Sequence, residues 1–89
     1  METTHRVHVR DSRDMAAIGS GEVQLVVTSP PYPMIEMWDD VFTELNPNIG
    51  TALDEGEGWD AFELMHDELE QTWKELARVV TDGGIVCVN

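Results

Sequence analysis

The feature that most constrains the fold is an apolar run that ends abruptly at prolines. Residues 23–27 read Val-Gln-Leu-Val-Val, a mostly β-branched stretch of the length and type found in strands covered on both faces. Residues 28–33 then read Thr-Ser-Pro-Pro-Tyr-Pro. Because proline has no amide hydrogen and cannot continue a central strand, the chain leaves the sheet here. The sequence therefore predicts a buried strand with a stiff loop at its carboxyl end.

Two further segments have the character of strands. Val7 and Val9 alternate with polar residues, which predicts a short strand over 5–10. Residues 85–88 form a second apolar run of the buried type, and this run contains Cys87. After the first segment, Asp11 and Ser12 are residues that can cap a short helix over 12–18.

The clearest helix signal lies between Trp59 and Val80. Apolar residues recur there at intervals of three and four and form one stripe, which consists of Phe62, Met65, Leu69, Trp73, Leu76 and Val80. Asp60 and Glu63 stand in an arrangement typical of a capping box, with Trp59 and Leu64 at the two flanking apolar positions. Glu70 and Lys74 form an i, i+4 pair on the other face. The sequence Asp-Gly-Gly at 82–84 predicts the end of this helix.

Between the proline loop and this helix, residues 33–59 are predicted as a long connection in which 34–45 have partial helical character. The resulting order is strand, short helix, strand, long loop, helix, strand. Strands that alternate with helices predict an α/β fold with parallel strands and right-handed crossovers.

The charge of the chain limits its partners. Among 89 residues, 18 are acidic and 5 are basic, which gives a formal net charge of -13. Such a surface repels nucleic acid, since phosphate contacts need Lys and Arg. Alternatively, it is adapted to high salt, and composition does not separate the two interpretations.

The single cysteine excludes an intramolecular disulfide and favours a reducing, cytoplasmic location. No apolar run approaches the roughly 20 residues that a membrane span needs.

The tetrad at 29–32, Ser-Pro-Pro-Tyr, lies where ligands bind in an open α/β sheet. The prolines fix the backbone so that carbonyl oxygens can be aimed outward. The Ser29 hydroxyl adds an acceptor, and Tyr32 offers a flat face. This combination suits a planar group with an exocyclic amine; the alternative interpretation is a proline-rich turn with a packed tyrosine.

Residues 28–32 resemble the Ser/Asp/Asn-Pro-Pro-Tyr signature of amino-group methyltransferases that use S-adenosyl-L-methionine. The serine form is most similar to the DNA methyltransferases that modify the N4 amine of cytosine. Asp11-Ser12, the apolar pair 26–27 and the segment 83–85 also resemble this family, and 33–40 resembles its archaeal members. The resemblance spans roughly 7–89 and implies a partial Rossmann-like methyltransferase sheet, with parallel strands and crossover helices, that is incomplete.

The resemblance also implies roles for individual residues. Ser29 and the Pro30 carbonyl would accept hydrogen bonds from the amine of a base flipped out of the duplex, while Pro31 and Tyr32 would line the base site and Tyr32 would stack on the ring. The amine would then attack the methyl group in line, without a covalent enzyme intermediate. By its position Asp11 would approach the adenosine of the cofactor; a plain helix cap is the other interpretation.

The sequence departs from the family in one respect, because it contains no Phe-x-Gly-x-Gly-like cofactor turn. Residues 1–89 are therefore expected to be the N-terminal, catalytic-motif part of a methyltransferase domain, inactive alone and prone to self-association. Double-stranded DNA would be the partner of the whole enzyme, and restriction-modification would add a cognate endonuclease. Two alternatives remain open: transfer to adenine N6 or to an RNA or protein amine, and a non-catalytic acidic α/β interaction module.

Other residues have simpler interpretations. We expect Cys87 to be a buried core thiol rather than a nucleophile. His5 and His8 face opposite sides of the predicted first strand, so no shared metal ion is expected. We expect Trp38 to pack against other side chains rather than to touch a base, and Asp39 and Asp40, with Glu36 nearby, to lie in a solvated acidic loop rather than to bind a cation.

Overall fold

A computed structural model describes residues 1–89. In chain order the elements are strand β1 (Val23–Thr28), a short 3-10 helix (Glu36–Trp38), helices α1 (Asp39–Leu45), α2 (Pro47–Asp54) and α3 (Gly58–Val79), and strand β2 (Val80–Val88). The two strands pair in parallel. This confirms the predicted α/β class with parallel strands, whereas the larger Rossmann-like sheet stays a prediction. None of the helices has both the length and the apolar character needed to cross a membrane.

The register of the sheet contains a bulge at the predicted helix stop. Val23 lies opposite Val80 and Leu25 lies opposite Ile85, so β2 advances by five residues while β1 advances by two. Within the extra stretch, Gly83 has a φ of 78°, in the left-handed region that favours glycine. Residues 82–84 therefore form a bulge inside β2, and the helix ends earlier, at Val79.

Helix α3 agrees with the prediction in its length and in most of its buried face. Met65, Leu69 and Leu76 are buried, as the stripe predicts, together with Ala61 and Val79. Phe62 lies outside the core, with 37% of its surface exposed. The predicted capping box is wrong: Glu57 precedes the first turn without a side-chain hydrogen bond, and Asp60 lies inside that turn.

The predicted long connection is mostly helical. Asn46 caps α2, since its Oδ1 accepts a hydrogen bond of 3.1 Å from the Asn48 amide, and Pro47 occupies the first helical turn, where a missing amide hydrogen costs nothing. The helices pack around a small core of Phe42, Ile49, Met65 and Leu69. Trp38 packs against this core, as expected. The partial helical character predicted for 34–45 is confirmed by α1, whereas the loop prediction is wrong for α2, at 47–54.

The predicted strand over 5–10 and helix over 12–18 are both wrong. Residues 1–9 have no regular structure, and β1 pairs only with β2, so the first segment has no strand to pair with. Residues 10–21 form turns and bends. Asp11 accepts a hydrogen bond from the amide of Arg13, and Asp14 accepts one from the amide of Ala16. These side chains satisfy the backbone locally and so compete with a helix.

One face of the sheet is exposed. Because residues opposite each other in a parallel sheet share a face, Leu25, Val27, Ile85 and Cys87 lie together, and we call this set the bare sheet face. Leu25 is 57% exposed, Val27 74% and Ile85 60%. Cys87 is exposed as well, so the prediction of a buried core thiol is wrong. The physical reason is that the helices pack mainly on each other and leave this face uncovered.

Candidate functional site

A cleft of about 230 Å³ lies where β1 ends, between the turn at 11–13 and helices α1 and α3. Ser29, Pro30 and Pro31 line it together with Asp11 and Ser12. Its apolar wall comes from both helices and consists of Val41, Leu45, Leu69 and Trp73. The structure thus brings three residues of the predicted tetrad and the predicted cofactor residue Asp11 to one cleft at the carboxyl end of a strand.

Tyr32 is the tetrad residue that the cleft does not include. It lies past the two prolines with 46% of its surface exposed. Met34, two residues later, has a φ of 64°, a left-handed conformation in which non-glycine residues are uncommon. The proline loop therefore turns away from the cleft after Pro31, and stacking by Tyr32 on a base stays a prediction.

The Ser29 hydroxyl is held from the neighbouring strand. Asn89 Nδ2 donates a hydrogen bond of 3.3 Å to Ser29 Oγ, and the Asn89 amide donates one of 2.9 Å to the Thr28 carbonyl. A hydroxyl oxygen can accept twice, so Ser29 keeps one acceptor position for a ligand. The sequence interpretation missed Asn89, although its place directly after a strand parallel to β1 was the signal that it ends beside Ser29.

Asp11 forms an ion pair with Arg13, which donates hydrogen bonds to both carboxylate oxygens. Arg13 Nε lies 3.1 Å from Asp11 Oδ1 and 3.0 Å from Oδ2, and Nη2 lies 2.7 Å from Oδ2. The Arg13 amide adds a bond of 2.9 Å to Oδ1. The Arg13 side chain first, and then this amide, hold the pKa of Asp11 below its ordinary value, because both favour the carboxylate. Asp11 is therefore an anion at neutral pH, and the alternative of a helix cap does not hold, since no helix follows.

Arg13 also reaches a buried carboxylate on α3. Its Nη1 donates to Glu68 Oε2, which also accepts a hydrogen bond of 3.2 Å from Gln71 Nε2. Glu68 is the only buried charged residue, with 9% of its surface exposed. Beside it, Ser12 Oγ and Thr72 Oγ1 share a hydrogen bond of 3.3 Å. The sequence interpretation missed both Arg13 and Glu68. Glu68 directly precedes Leu69 of the apolar stripe, and this position could have indicated that Glu68 lies at the edge of the buried face of α3.

A second ion pair ties the next part of the N-terminal segment to α3. Arg78 donates to the carbonyls of Met15 and Ile18, each at 2.9 Å, and to Glu75 Oε2 at 3.0 Å. Glu75 Oε2 also accepts a bond of 2.6 Å from the Met15 amide. The Arg78 side chain and this amide lower the pKa of Glu75. Residues 15–18 are thus anchored independently of Arg13.

The other candidate residues do not join the cleft. His5, His8 and Cys87 are exposed, and no group of three or more His, Cys, Asp or Glu residues is arranged to hold a metal ion. Asp39 and Asp40 form the first turn of α1 rather than a loop. Their negative charges there interact favourably with the positive end of the helix dipole and stabilise α1.

The cleft offers groups that suit part of the cofactor that the resemblance implies. Asp11 and Ser12 offer acceptors, and the α1–α3 wall offers apolar surface, so the residues present fit the adenosine end of S-adenosyl-L-methionine. The volume is below the roughly 300–1,000 Å³ of complete small-molecule pockets, so these residues form only part of such a pocket.

Comparisons with known proteins identify relatives. A family model described as DNA methylase, of the N6/N4 type, matches residues 23–89. The chain is 50% identical over 90 residues to the type II methyltransferase M.MthZI of Methanothermobacter thermautotrophicus, and the match covers 100% of the chain and 25% of that relative. It is 42% identical over 98 residues to the type II methyltransferase M.MjaI of Methanocaldococcus jannaschii, covering 98% of the chain and 32% of that relative. The chain thus spans between a quarter and a third of these relatives. No solved structure matches it.

Proposed function

The chain belongs to the DNA methylase family, and from that membership we propose that it carries the base-binding part of an enzyme that methylates the N4 amine of cytosine in DNA. The observation that carries the proposal is the place of the Ser-Pro-Pro-Tyr tetrad. It directly follows β1, and three of its residues share a cleft with Asp11. Ligands of open α/β sheets bind at this end of the strands.

The chemistry asked of the tetrad is the activation of an exocyclic amine. Such an amine is a poor nucleophile because its lone pair is delocalised into the ring. Ser29 Oγ and the Pro30 carbonyl are two acceptors for its two N–H bonds, and these hydrogen bonds return electron density to the nitrogen. S-adenosyl-L-methionine would supply an electrophilic methyl group to the amine that Ser29 and the Pro30 carbonyl hold, S-adenosylhomocysteine would leave, and the proton released from the amine would pass to water. Positioning and electrostatics account for the rate.

The choice of cytosine rests on the residue that leads the tetrad. Serine stands at position 29, where the resemblance to cytosine-N4 enzymes is greatest and where aspartate or asparagine leads in most adenine-N6 enzymes. The family model spans both base types, so it supports amino methylation of DNA in general. Adenine N6 is therefore the rival outcome of any product analysis.

The net charge of -13 bears on how DNA would be held. Phosphate contacts need basic side chains, and five Lys and Arg among 89 residues do not form such a surface. We propose that DNA is gripped by basic surface elsewhere in the complete protein and that these residues receive only the flipped base. The type II relatives also support a restriction endonuclease as the functional partner.

The test is methyl transfer by the complete gene product with labelled S-adenosyl-L-methionine and DNA. The wild type should label DNA, and Ser29→Ala should lower kcat about a hundredfold, since one acceptor for the reacting amine is lost. Thr51→Ala removes a hydroxyl from the exposed side of α2 and is the matched control, with unchanged kcat. Full activity of Ser29→Ala would contradict the role of Ser29, and a wild type that labels no DNA would contradict the function itself.

A further inference from the structure

Arg13 is the hub of a network between the cleft wall and the longest helix. Its guanidinium bonds both oxygens of Asp11 on one side and Glu68 Oε2 on the other. Asp11 and Glu68 both line the cleft, and so does Arg13. Two carboxylates that are 57 positions apart in sequence are therefore joined by one cation. Neither the predicted role of Asp11 nor that of Ser29 uses this cation.

Arg13 bridges Asp11 and Glu68, and these two carboxylates differ in how exposed they are to solvent. The Glu68 side chain is only 10% exposed, whereas 47% of the Asp11 side chain is exposed. Glu68 is thus the fixed end, set in α3 next to Leu69, and Asp11 is the end that a ligand can reach. A planar guanidinium that bonds both oxygens of a carboxylate fixes its orientation as well as its position.

The bridge is not needed to keep the N-terminal segment on the protein. Arg78 and Glu75 already bind the backbone of Met15 and Ile18. What Arg13 adds is local: it sets where Asp11 and Ser12 stand on the wall of the cleft. Lysine at this position would keep the charge but could not hold two oxygens of Asp11 and one of Glu68 at once.

We propose that Arg13 and Glu68 are a positioning pair, which holds the Asp11 carboxylate in the orientation that accepts hydrogen bonds from the adenosine end of the cofactor. The inference rests on the proposed function, and it adds two residues that act through Asp11. Arg13 also satisfies the buried Glu68 carboxylate, which would otherwise be an unpaired charge in the interior. Three donors of Arg13, its amide, Nε and Nη2, are shared between the two oxygens of Asp11, so one of the roughly four acceptor positions of the carboxylate is left for a ligand.

The experiment measures binding of S-adenosylhomocysteine to the complete gene product by isothermal titration calorimetry. Arg13→Lys and Glu68→Gln should each raise the Kd about tenfold, which corresponds to about 1.4 kcal/mol. Glu70→Gln is the matched control for Glu68→Gln, since Glu70 lies on the same helix and pairs only with the exposed Lys74. The control should bind as the wild type does.

A double-mutant cycle separates positioning from plain stabilisation. If Arg13 acts through Asp11, Arg13→Lys should change the Kd less than twofold in the Asp11→Asn background. A full tenfold effect in that background would overturn the proposal. A Kd for Arg13→Lys equal to that of the wild type would also overturn it. If a variant is destabilised, the same comparison is made with the Kd corrected to its folded fraction. Thermal melts give that folded fraction. A wild-type protein that does not bind the probe would overturn the cofactor assignment before any variant is compared.

Discussion

Asp11 and Glu75 are the two carboxylates of the N-terminal contacts whose pKa is lowered by an arginine. Arg13 lowers the pKa of Asp11 below its ordinary 3.8, and Arg78 lowers the pKa of Glu75 below its ordinary 4.5. A carboxyl whose pKa is lower in the folded state stabilises that state above the ordinary value, and the contribution is lost as pH falls through the lowered value. The Glu75 contacts that anchor residues 15–18 should therefore contribute fully from neutral pH down to about 4.5 and weaken below that.

This pH dependence can be followed by NMR through the amides of Arg13 and Met15, which bond the two carboxylates. The Arg13 amide should titrate with a midpoint below 3.8 and the Met15 amide with one below 4.5. Asp11→Asn is the control, because it should abolish the first transition and leave the second. Midpoints at or above those ordinary values would contradict the two ion pairs.

At the residue scale, the sequence indicated the residues that could contact a ligand, but not the side chains that form hydrogen bonds to those residues and fix their positions. Ser29 and Pro30 follow from local chemistry, Pro31 and Asp11 follow from the family resemblance, and the structure places all four in one cleft. The partners Glu68 and Asn89 are 55 and 60 positions from Arg13 and Ser29, respectively. Nothing local distinguishes such a glutamate or asparagine from a solvated one, because its role depends on which segments meet in three dimensions.

At the scale of elements, period and length predicted β1, α3 and the apolar end of β2. The prediction failed where side chains compete with the backbone or where an element needs a partner. Residues 5–10 alternate like a strand, but no third strand pairs with them. Residues 11–16 contain aspartates that bond nearby amides and favour turns over a helix. Cys87 has the sequence context of a buried strand, yet its face of the sheet is uncovered.

The bulge in β2 favours glycine at position 83 because of its positive φ, and at position 84 because a side chain there has no space. A Cβ on Gly84 would lie 2.6 Å from Val80 Cγ1, 2.9 Å from the Thr81 carbonyl oxygen and 3.2 Å from that of Gln24. Two of these atoms belong to the backbone, which cannot move without breaking the pairing of β1 with β2. Gly84→Ala should therefore lower the free energy of unfolding by about 1–3 kcal/mol.

The matched control for the bulge is Gly58→Ala, at the start of α3. A Cβ there would meet only Met34 Cε, at an ordinary 3.8 Å, and alanine favours the helix. Urea unfolding of the two variants should thus give a lower midpoint for Gly84→Ala and an unchanged or higher one for Gly58→Ala. Equal midpoints would show that the bulge does not constrain position 84.

At the scale of the whole molecule, the chain is extended for its length. Its radius of gyration is 15.5 Å, whereas a compact domain of this length has about 12 Å. The longest dimension of the molecule is 54 Å, and the bare sheet face is exposed. Apolar strands that are exposed in this way are a common route to self-association.

We therefore expect the 89-residue chain alone to self-associate through the bare sheet face. Its apparent mass in sedimentation equilibrium should rise with concentration, and Val27→Lys should reduce that rise by placing a charge in the face. Val9→Lys is the control, because Val9 is exposed in the irregular N-terminal segment. A constant monomer mass for the unmodified chain would contradict this prediction.

The central claim is that the cleft lined by Ser29 binds a DNA base and positions its amino group for methylation. It is tested most directly by mass spectrometry of the nucleosides released from DNA after incubation with the complete gene product and S-adenosyl-L-methionine. We predict N4-methylcytosine, formed by the wild type and nearly absent with Ser29→Ala. N6-methyladenine would contradict the base assignment, and a product methylated only on ring carbon, or no methylated nucleoside at all, would contradict the account of the site.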